Sequence, residues 1–119
     1  GKTVYVVEFW ATWCPPCRTS IPHLTKVQER FKDKNVVVIG VSNEDAATVR
    51  PFVQTMGDKM NYRVAVDNNN MTNRGYMTAY NKDGIPTAFV VDKKGDVAWV
   101  GHPMDKKFER AIEKAVAAN

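Results

Sequence analysis

A chain of 119 residues with 44% hydrophobic and 25% charged positions has the size and balance of one domain built on a single core. Its net charge of +4 is spread along the chain without an aromatic-interleaved basic stripe, which points to a solvated surface and away from a nucleic-acid partner. No apolar run is long enough to span a bilayer, the sequence given opens almost directly on a strand-like run, and two cysteines are too few for a disulfide framework.

The first element is the run Val4 to Trp10, apolar except for Glu8, which predicts a strand covered on both faces. A carboxylate inside such a strand is costly unless paired. Either Glu8 lies at a sheet edge facing solvent, or burial raises its pKa until it can exchange a proton with a nearby thiol. Next comes Trp13-Cys14-Pro15-Pro16-Cys17-Arg18, which holds both cysteines of the chain. Pro15 and Pro16 suit the first turn of a helix, where a missing N–H costs nothing. Ile21, Leu24, Val27 and Phe31 recur at helical spacing, so the helix is predicted to run to about Phe31, kinked by Pro22. A thiol at its start faces free backbone N–H groups and the positive end of the helix dipole, both of which favour thiolate. A cysteine one turn later can then attack the first and open or close a disulfide.

The alternative for the pair is half a metal site. Structural zinc needs four ligands, and only His23 and His102 could complete the set; covalent haem needs a histidine where Arg18 stands. No metal is expected, and both histidines read as surface or loop residues. Trp10 and Trp99 read as core, and Trp13, beside a thiol that must be reachable, as part of a rim that meets the partner. The five methionines read as gap-fillers.

Val36 to Val41 predicts a second buried strand, parallel to the first because a helix intervenes. Ser42-Asn43-Glu44-Asp45 offers N-cap chemistry for a second helix that ends near Gly57, with Pro51 leaving its start open. Arg63 to Val66 is a short strand, Asn68-Asn69-Asn70 a turn, and Met71 to Tyr80 a short helix or turn-rich segment. Thr87 to Asp92 and Asp96 to Gly101 form an antiparallel hairpin around Lys93-Lys94-Gly95. Asp105 caps a last helix with a stripe of Phe108, Ala111, Ile112, Ala115 and Val116. The order β-α-β-α-β-α-β-β-α is that of an α/β domain with a central mixed sheet flanked by helices.

Phe9 to Cys17, Pro22, and Gly84-Ile85-Pro86-Thr87 together resemble the active-site segment, the helix proline and the cis-proline loop of the thioredoxin superfamily. The stretch Tyr62 to Asn81 resembles the strand-plus-helix insertion of the TlpA-type thiol–disulfide oxidoreductases, and the likeness covers essentially the whole chain. It implies a thioredoxin-like fold, with Cys14 as exposed nucleophile and Cys17 as resolving cysteine. It implies that Glu8 acts as the buried acid, and that Trp13, Pro15, Pro16, Ile85 and Pro86 contact substrate. Ser20 stands where many TlpA-type proteins carry a glutamate. That type also begins with one or two strands before the segment where this sequence starts, and they are missing here. The expectation is a single thioredoxin-like domain, residues 1–119, excised from a longer chain, with an unusually open edge on its first strand.

The expected activity is disulfide exchange with protein substrates, needing no cofactor beyond the Cys14–Cys17 pair. The uncharged Pro15-Pro16 insert favours a reductant served by an upstream reductase. Alternatives are a redox-inert or metal-binding adaptor of the same fold, and a thiol peroxidase. By resemblance the domain works outside the bacterial cytoplasmic membrane as a monomer, meeting the membrane only through a tether elsewhere in the parent chain; a cytoplasmic role is the alternative.

Overall fold

β1 (Val4–Phe9) carries valine and phenylalanine on alternate sides, and both sides find cover. In the computed structural model, which describes residues 1–67 and 70–118, β1 is the middle strand of a five-stranded sheet in the order β3-β2-β1-β4-β5. It pairs in parallel with β2 (Val36–Ser42) and antiparallel with β4 (Thr87–Val91). The expected open edge on the first strand is therefore wrong. The hairpin of β4 and β5 (Val97–Gly101) folds back on the side of β1 that α1 and β2 leave free. The edges fall to β5 and to β3 (Arg63–Val66), which runs parallel to β2.

The crossovers from β1 to β2 and from β2 to β3 run in the same direction along the sheet, and their helices pack on one face. α1 (Pro15–Phe31) spans the predicted range with Pro22 inside it. α2 (Ala46–Met56) begins at Asp45, whose carboxylate accepts the Thr48 N–H, and ends at Gly57, with φ of +54°. Pro51 lies within α2. α4 (Lys106–Ala117), capped by Asp105, covers the β4–β5 end of the same face. Val4 and Val6 pack there with Leu24, Val27 and Phe31 of α1 and Phe108 and Ile112 of α4. Trp99 joins only in part, its ring 5.7 Å from that of Phe108. β3 pairs only with the Ile39–Ser42 half of β2, and the Gln28 amide takes up the Val36 carbonyl (2.8 Å) and the Val38 N–H (2.7 Å) in the other half.

The opposite face is covered by the insertion. A short turn of helix, α3 (Met71–Asn73), widens into a π-helical turn over Arg74–Thr78. Its start is tied down by the buried Asp67, whose carboxylate accepts the N–H groups of Thr72 (2.8 Å) and Asn73 (2.7 Å). The segment lays Tyr76, Met77 and Tyr80 over Phe9 and Phe89, with ring centroids 5.1 to 5.9 Å apart. This cover stops short of Tyr5, which is 41% exposed, so β1 is not sealed on both sides along its whole length. Nor are all the methionines gap-fillers. Met60 and Met77 are buried, but Met71 and Met104 project into solvent. Of the predicted asparagine turn, Asn68 and Asn69 lie outside the described residues, and Asn70 is left-handed with φ of +58°. Gly95 turns the final hairpin at φ of +87°.

Candidate active site

The redox pair sits where β1 gives way to α1. After Phe9 the chain turns through Ala11–Trp13, closed by a hydrogen bond from the Cys14 N–H to the Ala11 carbonyl (3.3 Å). Cys14 is the N-cap of α1, with Pro15 and Pro16 as the first two helical residues, both exposed. Its Sγ accepts the Cys17 N–H at 3.3 Å, as an N-cap side chain is placed to do. Cys14 and Cys17 are joined as a disulfide with Cα atoms 5.2 Å apart.

Cys14 is less open than expected for a nucleophile: it is 3% exposed, and Cys17 is wholly buried. Across from it the Ile85–Pro86 peptide is cis, and the Ile85 carbonyl oxygen lies 3.9 Å from Cys14 Sγ. Pro86 is buried, Ile85 is half-buried, and Trp13 beside the disulfide is 68% exposed. A cleft of about 270 Å³ opens between them, lined in part by Trp13, Ile85, Asn43, Asn73, Lys82 and Asp83. The structure thus gathers Cys14, Cys17, Trp13, Ile85 and Pro86 from two distant segments, with Pro15 and Pro16 on the adjoining surface. Among the described residues, no group of three or more His, Cys, Asp or Glu side chains is placed to hold a metal ion. His23 lies against Phe108, and His102 is exposed and accepts the Met104 N–H on Nδ1. Ser20 is buried, its hydroxyl donating to the Cys17 carbonyl at 2.9 Å.

Glu8 is fully buried. Strand alternation puts it on the α1 face, between Val6, which packs on Leu24 and Val27, and Trp10, which packs with Cys14, Cys17 and Ile21. Its register neighbours are Gly40 and Ala88, two small residues. Neither oxygen has a hydrogen-bond partner among the described residues, and burial holds the pKa well above the ordinary carboxylate range. A solvent-facing edge position is excluded.

Sequence reasoning missed Glu44. Only Asp45 of the Ser42–Asp45 group caps α2; Glu44 turns instead toward the active-site loop. Its Oε1 accepts the Thr12 N–H (2.8 Å) and the Ser42 hydroxyl (2.8 Å), and its Oε2 accepts the Thr12 hydroxyl (2.7 Å). Arg18 Nε donates to the Thr12 carbonyl at 2.9 Å, and its guanidinium stacks 5.5 Å from the centre of the Phe52 ring. Thr12 is thus held from both sides, one residue before Trp13. Removing the Glu44 carboxylate by Glu44→Ala strands three donors, two on half-buried Thr12 and one on buried Ser42. The expected loss is about 1–2 kcal/mol of stability, read as a lower urea midpoint, with Glu44→Gln losing less.

Residues 1–100 match the AhpC/TSA family. The chain is similar to the thiol-disulfide oxidoreductase ResA of Bacillus subtilis (strain 168), 32% identical over 101 residues that cover 84% of this chain and 52% of that protein. It is also similar to the ResA of Geobacillus kaustophilus (strain HTA426), 28% identical over 116 residues, 95% of this chain and 63% of that one. The chain therefore spans between half and two thirds of the length of these curated relatives. Among solved structures it is similar to a thiol:disulfide interchange protein of the thioredoxin family from Chlorobium tepidum TLS. The TM-score is 0.75 at 30% identity, covering 98% of this chain and 81% of that one. The thioredoxin domain of a thiol-disulfide oxidoreductase from Bacteroides vulgatus shares the fold, with a TM-score of 0.78 at 23% identity.

Proposed function

The chain belongs to the AhpC/TSA family, and from that premise we propose that it is a thiol–disulfide oxidoreductase of the TlpA type, exchanging disulfides with protein substrates through Cys14 and Cys17. One observation carries the reading. Cys14 Sγ, joined to Cys17, accepts a helix N-terminal N–H and faces the Ile85 carbonyl beside an open cleft. When the pair is reduced, that N–H faces the sulfur that must ionise, and ionisation is what makes it a nucleophile near neutral pH.

In the reducing direction, Cys14 thiolate attacks one sulfur of a substrate disulfide and expels the other as thiolate, forming a mixed disulfide. Cys17 then gives its proton to Glu8 and attacks Cys14, and the second substrate sulfur leaves. Two electrons pass to the substrate, and the chain is left as the disulfide. An upstream dithiol reductase is needed to restore it. Pro15, Pro16, Trp13 and Ile85 form the surface on which an extended substrate segment lies, with the buried Pro86 next to Ile85. The likeness to the TlpA type supports action outside the cytoplasmic membrane. Among the described residues no helix is long and apolar enough to cross a membrane.

Reduction of insulin disulfides by dithiothreitol tests the reading, together with equilibration of the pair against glutathione. Catalysed precipitation of the insulin B chain is expected, with a potential toward the thioredoxin value of about −270 mV. A value near −120 mV would reverse the physiological direction. No catalysis at all would leave the adaptor, and peroxide consumption without disulfide reduction would leave the peroxidase.

A further inference from the structure

Three buried polar groups lie near one another beneath α1. They are both carboxyl oxygens of Glu8, the Trp10 indole N–H and the Tyr62 hydroxyl, none hydrogen-bonded among the described residues. Gly40 explains how they come together. It is the register neighbour of Glu8 on β2, about 4.8 Å away across the sheet. A Cβ on Gly40 would lie 3.0 Å from Trp10 Nε1 and 3.4 Å from Tyr62 Cε1. The indole and the phenol ring therefore occupy the space that a side chain at position 40 would fill, next to the carboxyl. Four such polar atoms gathered around one glycine in an apolar core, none hydrogen-bonded to another, suit a buried water, which commonly makes about three hydrogen bonds.

We propose that Glu8, Tyr62 and Trp10 hold an internal water between them, and that through it Tyr62 positions Glu8 to take the Cys17 proton. Tyr62 is a positioning residue: it touches neither cysteine nor substrate. The proposal rests on the proton-accepting role of Glu8 given above. Burial and the nearby Glu8 charge both raise the Tyr62 pKa, so the phenol keeps its proton and acts as a donor. A donated hydrogen bond favours the ionised carboxyl, the form that accepts a proton. The other titratable groups on the elements packed around Glu8 are the two cysteines on this face, His23 against Phe108, and the exposed Arg18, Lys26, Glu29, Arg30, Arg50, Asp58, Lys59 and Arg63.

Tyr62→Phe keeps the ring and removes only the hydroxyl. Two measurements separate the proposal from its premise. Carboxyl carbon-13 NMR of the oxidised protein follows the Glu8 titration; rapid quenching follows release of a mixed disulfide preformed on Cys14. In Tyr62→Phe the Glu8 midpoint is expected to move up by about half to one pH unit, and release at pH 7 to slow about three- to tenfold. Alkylation of Cys14 is expected to keep its rate. A Glu8 midpoint unchanged in Tyr62→Phe overturns the proposal, even if the variant is less stable, because a purely structural tyrosine would leave that titration in place. Normal release in Glu8→Gln would instead remove the premise, and the NMR shift would still judge the link between Tyr62 and Glu8.

Discussion

Cys14→Ser is expected to bring insulin-disulfide reduction down to the uncatalysed rate, a loss of at least about a thousandfold, while Cys17→Ser behaves differently in kind. Without Cys14 the remaining sulfur is wholly buried and cannot reach a substrate disulfide. Without Cys17 the first exchange still proceeds, but nothing displaces the substrate, so a one-to-one mixed disulfide accumulates on Cys14. Non-reducing gels or intact-mass spectrometry of Cys17→Ser with a disulfide substrate read it directly. Cys14 is also expected to alkylate faster at pH 7 than a free cysteine, because its sulfur faces the Cys17 N–H at the helix start. Capture of the substrate on Cys17 in the Cys14→Ser variant would invert the assignment. An ordinary alkylation rate would remove the helix terminus as the source of its reactivity.

Much of this site is written in local sequence because its signals act over a few residues. Two prolines directly after a cysteine mark a helix start, and Asp45, Gly57, Gly95 and Asp105 mark caps and a turn; each falls where its conformational preference requires. What the sequence hid depends on neighbours far along the chain. Thr12 and Glu44 are 32 positions apart, and nothing near either residue announces their bond. Strand order does not follow chain order, so β1, first in the chain, becomes the centre once the hairpin folds back beside it. That placement turned Glu8 from an ambiguous strand residue into a wholly buried one. It also put Gly40 and Ala88 on either side of it, which neither residue advertises. The depth of Cys14 comes from packing in which the Ile85 carbonyl approaches its sulfur, 71 positions away.

Because Glu8 is fully buried with no protein hydrogen-bond partner among the described residues, its protonation links the site to the stability of the whole domain. Its pKa is held well above the ordinary value of 4.5 by loss of solvation. In the unfolded chain the side chain titrates near that ordinary value. Between the two the folded protein holds a proton that the unfolded chain has released, so stability falls as pH rises. The slope is about 1.4 kcal/mol per pH unit, beginning just above pH 4.5 and levelling off once pH passes the raised folded value. Glu8→Gln, which cannot ionise, is expected to lack this slope. Below pH 4 the two proteins are expected to differ little. With rising pH the variant gains on the wild type, until at neutral pH it is the more stable of the two. Urea unfolding of the oxidised forms at unit steps from pH 4 to pH 8 checks this. A constant gap between the two proteins across that range would mean that Glu8 ionises as freely in the fold as in water. The same substitution is expected to slow release of the mixed disulfide while leaving Cys14 alkylation intact. A domain made more stable and less able to turn over would identify the buried acid as a cost in stability retained for proton transfer.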